Sequence, residues 1–522
     1  MRAARRPSFI HDDSRFTMTQ NALLKVLLGC LLLGLMACGE GAKLDVQLLR
    51  AVGGSGAASD DPFQGVSKIQ FRVFDADTKE IVLDASASFA SGTADLSDLP
   101  TGQPLKIRAT AYDATGSVVS WGESTRFELP EGSSSETVAV SITLRKVDTW
   151  APLMRLESAR TVIATLNKQR AAHTATLLND GRVVIVGGFQ NSESAPSYVA
   201  SIEILDPASG ESTRVDGEEA RRAFHTAVQL QDGTVLVTGG ESATLHASGA
   251  TTPYTRDDNL IFDLDALSWS TSANIPRLTQ ARARHQAVLL GDGSVLFFGG
   301  LSDVNGALAT PGDTVYRPKE RRFLDGDEPG RVGHAMVSLK EGQFQVVSGG
   351  QLADGTLAED MPVFDATGAF QLTHSVSPRL HPGLIAYDIG VFALGGFDES
   401  GTPLSTTKFT PILGGEGPGD VSSNLSEARG QLCAVALKDG SILAAGGRTA
   451  QGATNATDLF RAASNGLSAS YVGDMSTPRY LHTCTLLDNG MLLVVGGIDA
   501  SGQATQSIEI FTPKPSDYPE WQ

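Results

Sequence analysis

The sequence has few basic residues, few methionines and few aromatic residues, and each scarcity argues against a class of protein. Its 522 residues carry 41 lysines and arginines against 59 aspartates and glutamates, a formal net charge of −18. Nucleic-acid backbones require clustered cations, and no long basic run occurs beyond the first few residues, so no nucleic-acid partner is expected. Methionine (8) and aromatic residues (6%) are few, whereas 56 glycines favour a turn-rich β protein over a helical one.

Signature motifs of several enzyme classes are absent as well. The chain has no His-Glu-x-x-His, no Gly-x-Ser-x-Gly and no clustered Cys/His spacing, and no double glycine is followed by a Lys-Ser/Thr pair. We therefore expect no metal and no cofactor. Whether the protein is an enzyme stays open, and a non-enzymatic role is favoured. Carboxylate pairs such as Asp257-Asp258 are interpreted as solvated loop residues of an acidic chain.

Cysteine is limited to four residues, one of which ends a long apolar run. Residues 22–37 (ALLKVLLGCLLLGLMA) have the length of a signal-peptide core and fall short of a typical membrane span. The run leads into LMACG, which resembles the bacterial lipobox, where the cysteine is lipidated and becomes the new N-terminus. The resemblance implies a lipoprotein signal over residues 1–38, lipidation of Cys38 and anchoring in the bacterial cell envelope, at the outer membrane. A plain cleaved signal or an uncleaved anchor is the alternative, and Met18 is an alternative start.

Residues 43–145 contain several short runs of alternating apolar and polar residues, such as IQFRVF at 69–74 and VAVSI at 138–142. Turn clusters separate them, and strands at this spacing predict a small β-sandwich. The segment LPTGQPLKIRATAYDATGSVV at 99–119 resembles immunoglobulin-like or transthyretin-like modules of bacterial surface proteins. That resemblance carries no active residues. We interpret the domain as a spacer that holds the main body off the membrane, with carbohydrate binding as the alternative.

From residue 150 onward one sequence motif occurs seven times. In the first copy, HTATLLNDGRVVIVGG at 173–188, two apolar runs flank Asp180-Gly181, which predicts a hairpin with a type I′ turn. Each copy ends in a double glycine, for which we expect positive φ or a close approach of backbones. The pairs start at Gly187, Gly239, Gly299, Gly349, Gly395, Gly446 and Gly496.

Their spacing of 46 to 60 residues and the double glycine resemble the kelch repeat. The resemblance implies an all-β fold: a seven-bladed kelch-type β-propeller over residues 150–515, of the galactose-oxidase-like kind, preceded by the β-sandwich. The last copy stops after its third strand. We therefore predict that the run TVIATL at 161–166 supplies the fourth strand of the seventh blade and closes the ring.

Cys433 and Cys484 occupy corresponding strands of neighbouring repeats, one residue out of register. Strand alternation points such residues to opposite faces. Two buried free thiols are therefore favoured, with a disulfide as the alternative.

Each repeat opens with an arginine, usually followed three residues later by a histidine. The histidines are interpreted mainly as structural, because a site needs its special residues once rather than seven times. The arginines are candidates for a ring around the central channel that binds a carboxylate or sulfate. They are Arg170, Arg222, Arg282, Arg331, Arg379, Arg429 and Arg479.

The function that these patterns favour is binding. We expect a monomeric envelope lipoprotein whose propeller binds an envelope or extracellular protein, or a glycan, through its long loops, with His246 and Tyr254 as first candidates. Galactose-oxidase chemistry needs a tyrosine followed directly by histidine, and none of the eight tyrosines has one. A kelch-type sugar-acid mutarotase or epimerase acting in the periplasm is the alternative; it rests on fold analogy alone.

Overall fold

The structure of this chain is a computed structural model. It describes residues 16–18 and 43–515, apart from the segments 53–59, 90–95, 97, 132–136, 159, 246–250, 271–274, 305–306, 341, 388, 415–422 and 464–465. Cys38 and His246 lie outside the described residues, so the expectations attached to them stay predictions. No helix within these ranges is long and apolar enough to cross a membrane. The chain divides into two compact units, with the main boundary after Ala164.

The first unit is built on one eight-stranded sheet that curls into half a barrel. Alternation creates its inner face: within Val66–Asp75 the side chains of Ile69, Phe71 and Val73 are buried, and the residues between them face outward. The strands are Phe16–Met18, Lys43–Arg50, Val66–Asp75, Ile81–Ser88, Pro104–Asp113, Val118–Glu123, Phe127–Glu128 and Thr137–Lys146.

This arrangement refines the predicted sandwich. The all-β class is confirmed, but the strands form one sheet instead of two facing sheets. The reason is the strand Thr137–Lys146, which pairs in parallel with Lys43–Arg50 on one side and antiparallel with Val118–Glu123 on the other. It thereby joins two halves that a sandwich would keep apart.

The second unit is a seven-bladed β-propeller, which confirms the predicted fold class. Strands in each blade are antiparallel, and we number them outward from the channel. From the first blade to the seventh they are Thr174–Leu177, Val183–Val186, Ser201–Leu205 and Ser212–Asp216; Thr226–Gln229, Val235–Thr238, Asn259–Asp263 and Ser268–Ser270; Gln286–Leu289, Val295–Phe298, Thr314–Arg317 and Arg322–Asp325; Val332–Leu339, Phe344–Gln351, Asp360–Asp365 and Phe370–Ser375; Gly383–Tyr387, Gly390–Leu394 and Thr407–Pro411; Cys433–Ala436, Ile442–Ala445, Thr457–Ala463 and Gly466–Tyr471; and Thr483–Leu486, Leu492–Val495 and Ile508–Thr512.

Short hairpins connect the second and third strands of several blades at the same end of the propeller. One 3-10 helix, Glu218–Ala220, lies between the first two blades. The hairpins are Phe189–Gln190 with Ser197–Tyr198, Glu241–Leu245 with Thr251–Thr255, Ser302–Val304 with Ala307–Ala309, and Arg448–Thr449 with Gly452–Ala453.

The Asp-Gly turns join the first two strands of a blade, but the predicted turn type is wrong. Only Gly181 takes a positive φ (87°), and Asp180 does not. Gly181 N donates to Leu178 O at 2.9 Å, and Asp180 Oδ1 accepts from Arg182 N at 3.0 Å. The aspartate carboxylate thus holds the turn from the side, which leaves glycine as the one residue that needs the left-handed region.

The blades pack against each other through their apolar second and third strands. Val184 and Ile202 of the first blade lie in one buried cluster with Val235 and Phe262 of the second. Phe262 has no exposed surface and meets Trp269 edge-on, with ring centroids 5.1 Å apart. The aromatic residue near the end of the third strand therefore seals the space between blades.

The first and last repeats touch directly, and only the last two residues of the predicted closing run, Thr165 and Leu166, take part. Ala172 N donates to Leu481 O at 3.0 Å, and Leu166 N donates to Gln506 O at 2.9 Å. The closing strand predicted at 161–166 is wrong: Arg160–Ile163 pairs with Met154–Glu157 in a two-stranded hairpin. Ser158 takes a positive φ (45°) between these strands, which turns the chain back on itself instead of letting it extend.

Candidate functional site

The seven predicted ring arginines occupy equivalent positions, and each is between 0% and 2% exposed. Arg170 shows the common arrangement, in which Nη1 donates to Gly187 O at 2.9 Å and Nη2 donates to Glu203 Oε1 at 2.5 Å. Arg379 donates only to carbonyls, including those of Gly395 and Thr406. The other pairs are Arg222 with Asp258, Arg282 with Thr314, Arg331 with Asp360, Arg429 with Asp458, and Arg479 with Glu509.

This burial contradicts the ligand-binding role predicted for the ring. A guanidinium with no exposed surface cannot contact a solute unless the blade around it opens. Five of the seven already donate Nη2 to a carboxylate, so a ligand would have to displace a buried ion pair there. Removing one partner of such a pair costs about 3–5 kcal/mol. The arginines are therefore structural.

The backbone of each arginine also ties neighbouring blades together. The second glycine of each pair donates its N–H to the arginine carbonyl of the next blade, as in Gly188 to Arg222 at 2.8 Å. The first glycine lies so close that a Cβ on Gly187 would stand 2.3 Å from that same carbonyl oxygen. Both glycines have positive φ (58° and 90°). The structural interpretation of the glycine pairs is confirmed.

The histidines of the repeat serve the same joints. His173 Nε2 lies 3.0 Å from the hydroxyl of Thr483 in the preceding blade, and His225 and His285 meet Thr174 and Thr226 in the same way. Burial first, and then the charge of the neighbouring arginine, lowers the pKa of each of the three well below 6.5. They are neutral hydrogen-bonding groups at ordinary pH.

The position two residues after each repeat arginine is occupied by a different residue type in every repeat. The residue two after each arginine has a positive φ, between 51° and 71°. Its N–H donates to the carbonyl of the equivalent residue in the preceding blade at five steps around the ring: at Ala172, Phe224, Arg284, His381 and Gln431. We call the whole set the collar: Ala172, Phe224, Arg284, Gly333, His381, Gln431 and Leu481.

The collar has the properties of a site that the arginine ring lacks. Six of its members are half-buried; Gly333 alone is buried. The backbone bonds run from blade to blade, so the collar encircles one mouth of the central channel. Its side chains differ at every position, whereas the structural registers on either side repeat. Non-repeating side chains on a repeating frame are what a binding site in a propeller requires.

Arg284 is the best-defined member of the collar. Its Nε donates to Glu241 Oε1 at 2.9 Å, and its guanidinium lies 3.6 Å above the centre of the Phe224 ring. Both charged partners keep about a quarter of their side-chain surface exposed. Burial, followed by the negative charge of Glu241, raises the pKa of nearby Tyr198 to about 12. Tyr198 therefore stays protonated and can donate a hydrogen bond beside this pair.

A second cation lies at the same mouth. Arg448 follows a double glycine, is exposed, and stacks over the Tyr480 ring at 5.4 Å; within the described residues it has no ion pair. Burial first, and then the charges of Arg284 and Arg448, lowers the pKa of His381 to about 4. Arg284 and Arg448 belong to the third and sixth blades, yet both act on a histidine of the fifth. Arg448 N donates to Gly430 O at 2.8 Å, and Gly430 precedes the collar residue Gln431, so Arg448 lies beside the collar.

The collar also contains an unused acceptor. Gln431 Oε1 is buried and has no hydrogen-bond partner among the described residues. The Tyr480 hydroxyl donates to Glu193 Oε2 at 3.4 Å, which keeps the ring at the rim. Two cations, two tyrosine hydroxyls, a neutral imidazole and an open amide oxygen suit a ligand that combines an anionic group with hydroxyls.

Of the two predicted loop residues, the structure describes Tyr254. The segment 241–258 contains a hairpin rather than an irregular loop, and Tyr254 stands on its second strand opposite Ser242, with 42% of its surface exposed. The first strand of that hairpin begins at Glu241, the partner of Arg284. Tyr254 is therefore on the collar side of the propeller, and its binding role stays a prediction.

A cavity of about 630 Å³ lies at the opposite end, between the turns that contain Asp232, Asp292 and Arg317. Arg317 pairs there with Glu320 at 3.3 Å, and Asp232 and Asp292 accept hydrogen bonds from their own turns. It lacks the converging unpaired groups of the collar, and the collar is the better candidate.

No protein-family model and no curated protein matches this chain. Solved structures do. The structure of YjhT aligns with 68% of this chain and 97% of its own at 15% identity, with a TM-score of 0.42. A fungal alcohol oxidase of the AA5 family, in complex with copper, aligns with 67% of this chain and 75% of its own at 15% identity, with a TM-score of 0.50.

The fold is that of a kelch or galactose-oxidase-like propeller. At this identity the likeness shows the fold alone, so neither the copper nor the oxidation chemistry of the fungal enzyme is transferred to this chain. In the sequence, the two positions between the arginine and the histidine both vary, and only the structure shows that the second of them forms the collar.

Proposed function

We propose that this propeller is a binding protein that takes a carboxylate-bearing glycan at the collar. The observation that carries the proposal is the placement of two cations at one mouth of the channel: Arg284 belongs to the collar, and Arg448 is hydrogen-bonded to Gly430 beside it. Arg448 is exposed and has no ion pair among the described residues, so its charge is available to a ligand. Such a group favours an anionic ligand.

The surroundings of the two cations favour a sugar over a simple anion. Phe224 and Tyr480 present aromatic faces, and Tyr198 and Gln431 add a hydroxyl donor and an amide acceptor. Sugar rings combine apolar faces with hydroxyl groups, which match aromatic rings and side-chain amides. An envelope or extracellular protein that offers an acidic side chain is the competing ligand.

Calorimetric titration with uronic-acid oligosaccharides, and with the same oligosaccharides reduced to neutral sugars, tests the proposal. The acidic series should bind and the neutral series should bind more weakly. Arg448→Gln should reduce the affinity for the acidic series about tenfold or more, since one charge-assisted hydrogen bond contributes roughly 1.5–3 kcal/mol. Arg182→Gln, an exposed arginine in a turn at the far end of the first blade, is the matched control. Equal binding of both series, or equal losses in both variants, would exclude the collar.

A sugar-acid mutarotase or epimerase is the second candidate, and one observation favours it. With its pKa at about 4, His381 is neutral at ordinary pH and can accept a proton from a bound sugar. The same titrated sugars, followed by NMR, would reveal catalysed anomeric exchange. Exchange that disappears in His381→Gln while binding persists would assign catalysis. Exchange at the uncatalysed rate would leave binding alone.

We also propose that a lipid on Cys38 holds the protein in the cell envelope. The support is the apolar run and LMACG in the sequence. Metabolic labelling with a fatty acid should mark the wild-type chain and leave Cys38→Ser unlabelled. Equal labelling of both would rule out lipidation at this residue.

A further inference from the structure

Cys433 and Cys484 form a disulfide, which corrects the expectation of two free thiols. Cys433 begins the innermost strand of the sixth blade, and Cys484 is the second residue of the innermost strand of the seventh. Alternation within one sheet does not apply, because the two strands belong to different blades and face each other across a joint. Their Cα atoms are 6.1 Å apart.

This joint departs from the pattern of the ring. Between the seventh and first blades, the first and second, and the second and third, a histidine meets a threonine hydroxyl of the preceding blade. The residue equivalent to that threonine in the sixth blade is Cys433, and the histidine facing it is His482. At this joint the sulfur atom of Cys433 replaces the threonine hydroxyl, and Cys484 contributes a second sulfur atom.

The three side chains converge. The sulfur atoms of Cys433 and Cys484 and a ring nitrogen of His482 all lie within 4.8 Å of one another. Apart from a weak interaction with the backbone of Ala445, neither ring nitrogen of His482 has a hydrogen-bond partner within the described residues. Like His334, His482 lacks the hydroxyl partner that His173, His225 and His285 have.

Two sulfurs and one imidazole are a donor set for a thiophilic cation. Zn²⁺ is held by cysteine thiolates and neutral histidine, and three protein ligands leave a fourth position open to water or a small molecule. Neutral histidine is the form that binds such a cation. Both cysteines lie on innermost strands, which line the channel.

We propose that Cys433, Cys484 and His482 form a binding site for a thiophilic divalent cation when the disulfide is reduced, and that oxidation closes the site. A dithiol reductant supplies two electrons and two protons, so the disulfide becomes two thiols while the dithiol becomes a cyclic disulfide. Cation binding then releases the two thiol protons. In the oxidised protein the sulfur atoms bond to each other and cannot act as thiolates.

Cobalt(II) as a spectroscopic probe tests the site in the full chain in detergent, with Cys30→Ser and Cys38→Ser in every protein compared. The anaerobic reduced protein should bind one Co²⁺ with the charge-transfer absorption of thiolate ligands, and Zn²⁺ should displace it. The oxidised protein should show neither. Reduced protein without thiolate absorption would overturn the proposal.

Variants separate the site from the fold. Cys433→Ser and Cys484→Ser should each abolish the thiolate absorption. Their reference is the reduced wild type, because it lacks the disulfide just as the two variants do. His482→Asn keeps both thiols and should weaken Co²⁺ binding about tenfold or more, because even outer ligands of metal sites have effects of this size. His285→Asn, at a joint without cysteine, should leave binding unchanged. Thermal unfolding without metal checks that each variant is folded. Full Co²⁺ affinity in folded His482→Asn would exclude the histidine as a ligand.

Discussion

Gly497 N in the last repeat donates to the carbonyl oxygen of Arg170 in the first repeat at 2.9 Å. It is the same bond that Gly188 makes to Arg222 and that every later pair repeats, so the junction of the two ends is built like any other junction. The arginine side chain reaches into its own blade while its carbonyl accepts from the neighbour. One residue per repeat therefore stabilises both a blade and the joint behind it.

Replacing Gly497 by alanine should destabilise the propeller strongly. Gly497 has a φ of 101°, and an added Cβ would stand 2.8 Å from both Tyr480 O and His482 Cβ. A left-handed residue costs about 1–2 kcal/mol and overpacking adds roughly 1–3 kcal/mol. Urea unfolding measures the change. Gly502→Ala is the control, because its φ is also positive (76°) but nothing lies within 4 Å of the added Cβ. Similar losses in the two variants would mean that the joint is not tightly packed.

Arg170→Met should lower the free energy of unfolding by about 3–5 kcal/mol, since it leaves the fully buried carboxylate of Glu203 without its partner. Arg182→Met, which breaks an exposed pair with Asp180, should cost at most about 1 kcal/mol. Replacing both members, as Arg170→Met with Glu203→Leu, should recover much of the loss. Chemical denaturation of the three proteins would contradict this account if Arg170→Met behaved like the surface variant.

Stability should fall as the pH is lowered from about 6.5. Burial lowers the pKa of His334 and His482 to about 3 and of His381 to about 4, so in this window the unfolded chain binds protons that the folded chain does not. The stabilisation is fully present above the unfolded pKa near 6.5 and is lost progressively towards the folded values. Each such histidine contributes roughly 1.4 kcal/mol per pH unit. Unfolding at a series of pH values should show a shallower slope for His334→Gln, and an identical slope would contradict the sign argued here.

Reducing the disulfide should lower stability without unfolding the ring. Cys433 and Cys484 are separated by 51 residues, and closing a loop of that length removes about 4 kcal/mol of denatured-state entropy in the chain-entropy account. Urea midpoints with and without a reductant measure the effect. The double variant Cys433→Ser with Cys484→Ser should be insensitive to the reductant. A wild type that is equally insensitive would show that the bond contributes nothing.

The sequence located some features because they are local. Double glycines, Asp-Gly turns and alternating apolar runs mark the strands, since backbone conformation and burial act on neighbouring residues. The number of repeats followed from counting them. The turn type was missed because the Asp180 carboxylate accepts a hydrogen bond from Arg182 N, and this contact holds the aspartate at negative φ.

Local sequence patterns could not predict the disulfide, the path of residues 160–163 or the burial of the arginines. Each depends on which residues of different blades or strands come together, and the regular spacing of the repeat does not predict those contacts. Strand alternation placed Cys433 and Cys484 on opposite faces, yet it governs residues within a sheet and not two strands across a joint.

By itself, then, the sequence determined the repeat, its seven copies and the residues that build each blade, because hydrophobic periodicity and backbone freedom are properties of short segments. Only the tertiary structure decided which positions face the channel and which are sealed between blades. Closing the ring buries Arg170 and its equivalents and leaves the collar residues Arg284 and His381 half-exposed at the mouth. Burial depends on the neighbouring blades. For that reason the arginine, which repeats in all seven copies, is structural, and the collar, whose residues vary, is the candidate site.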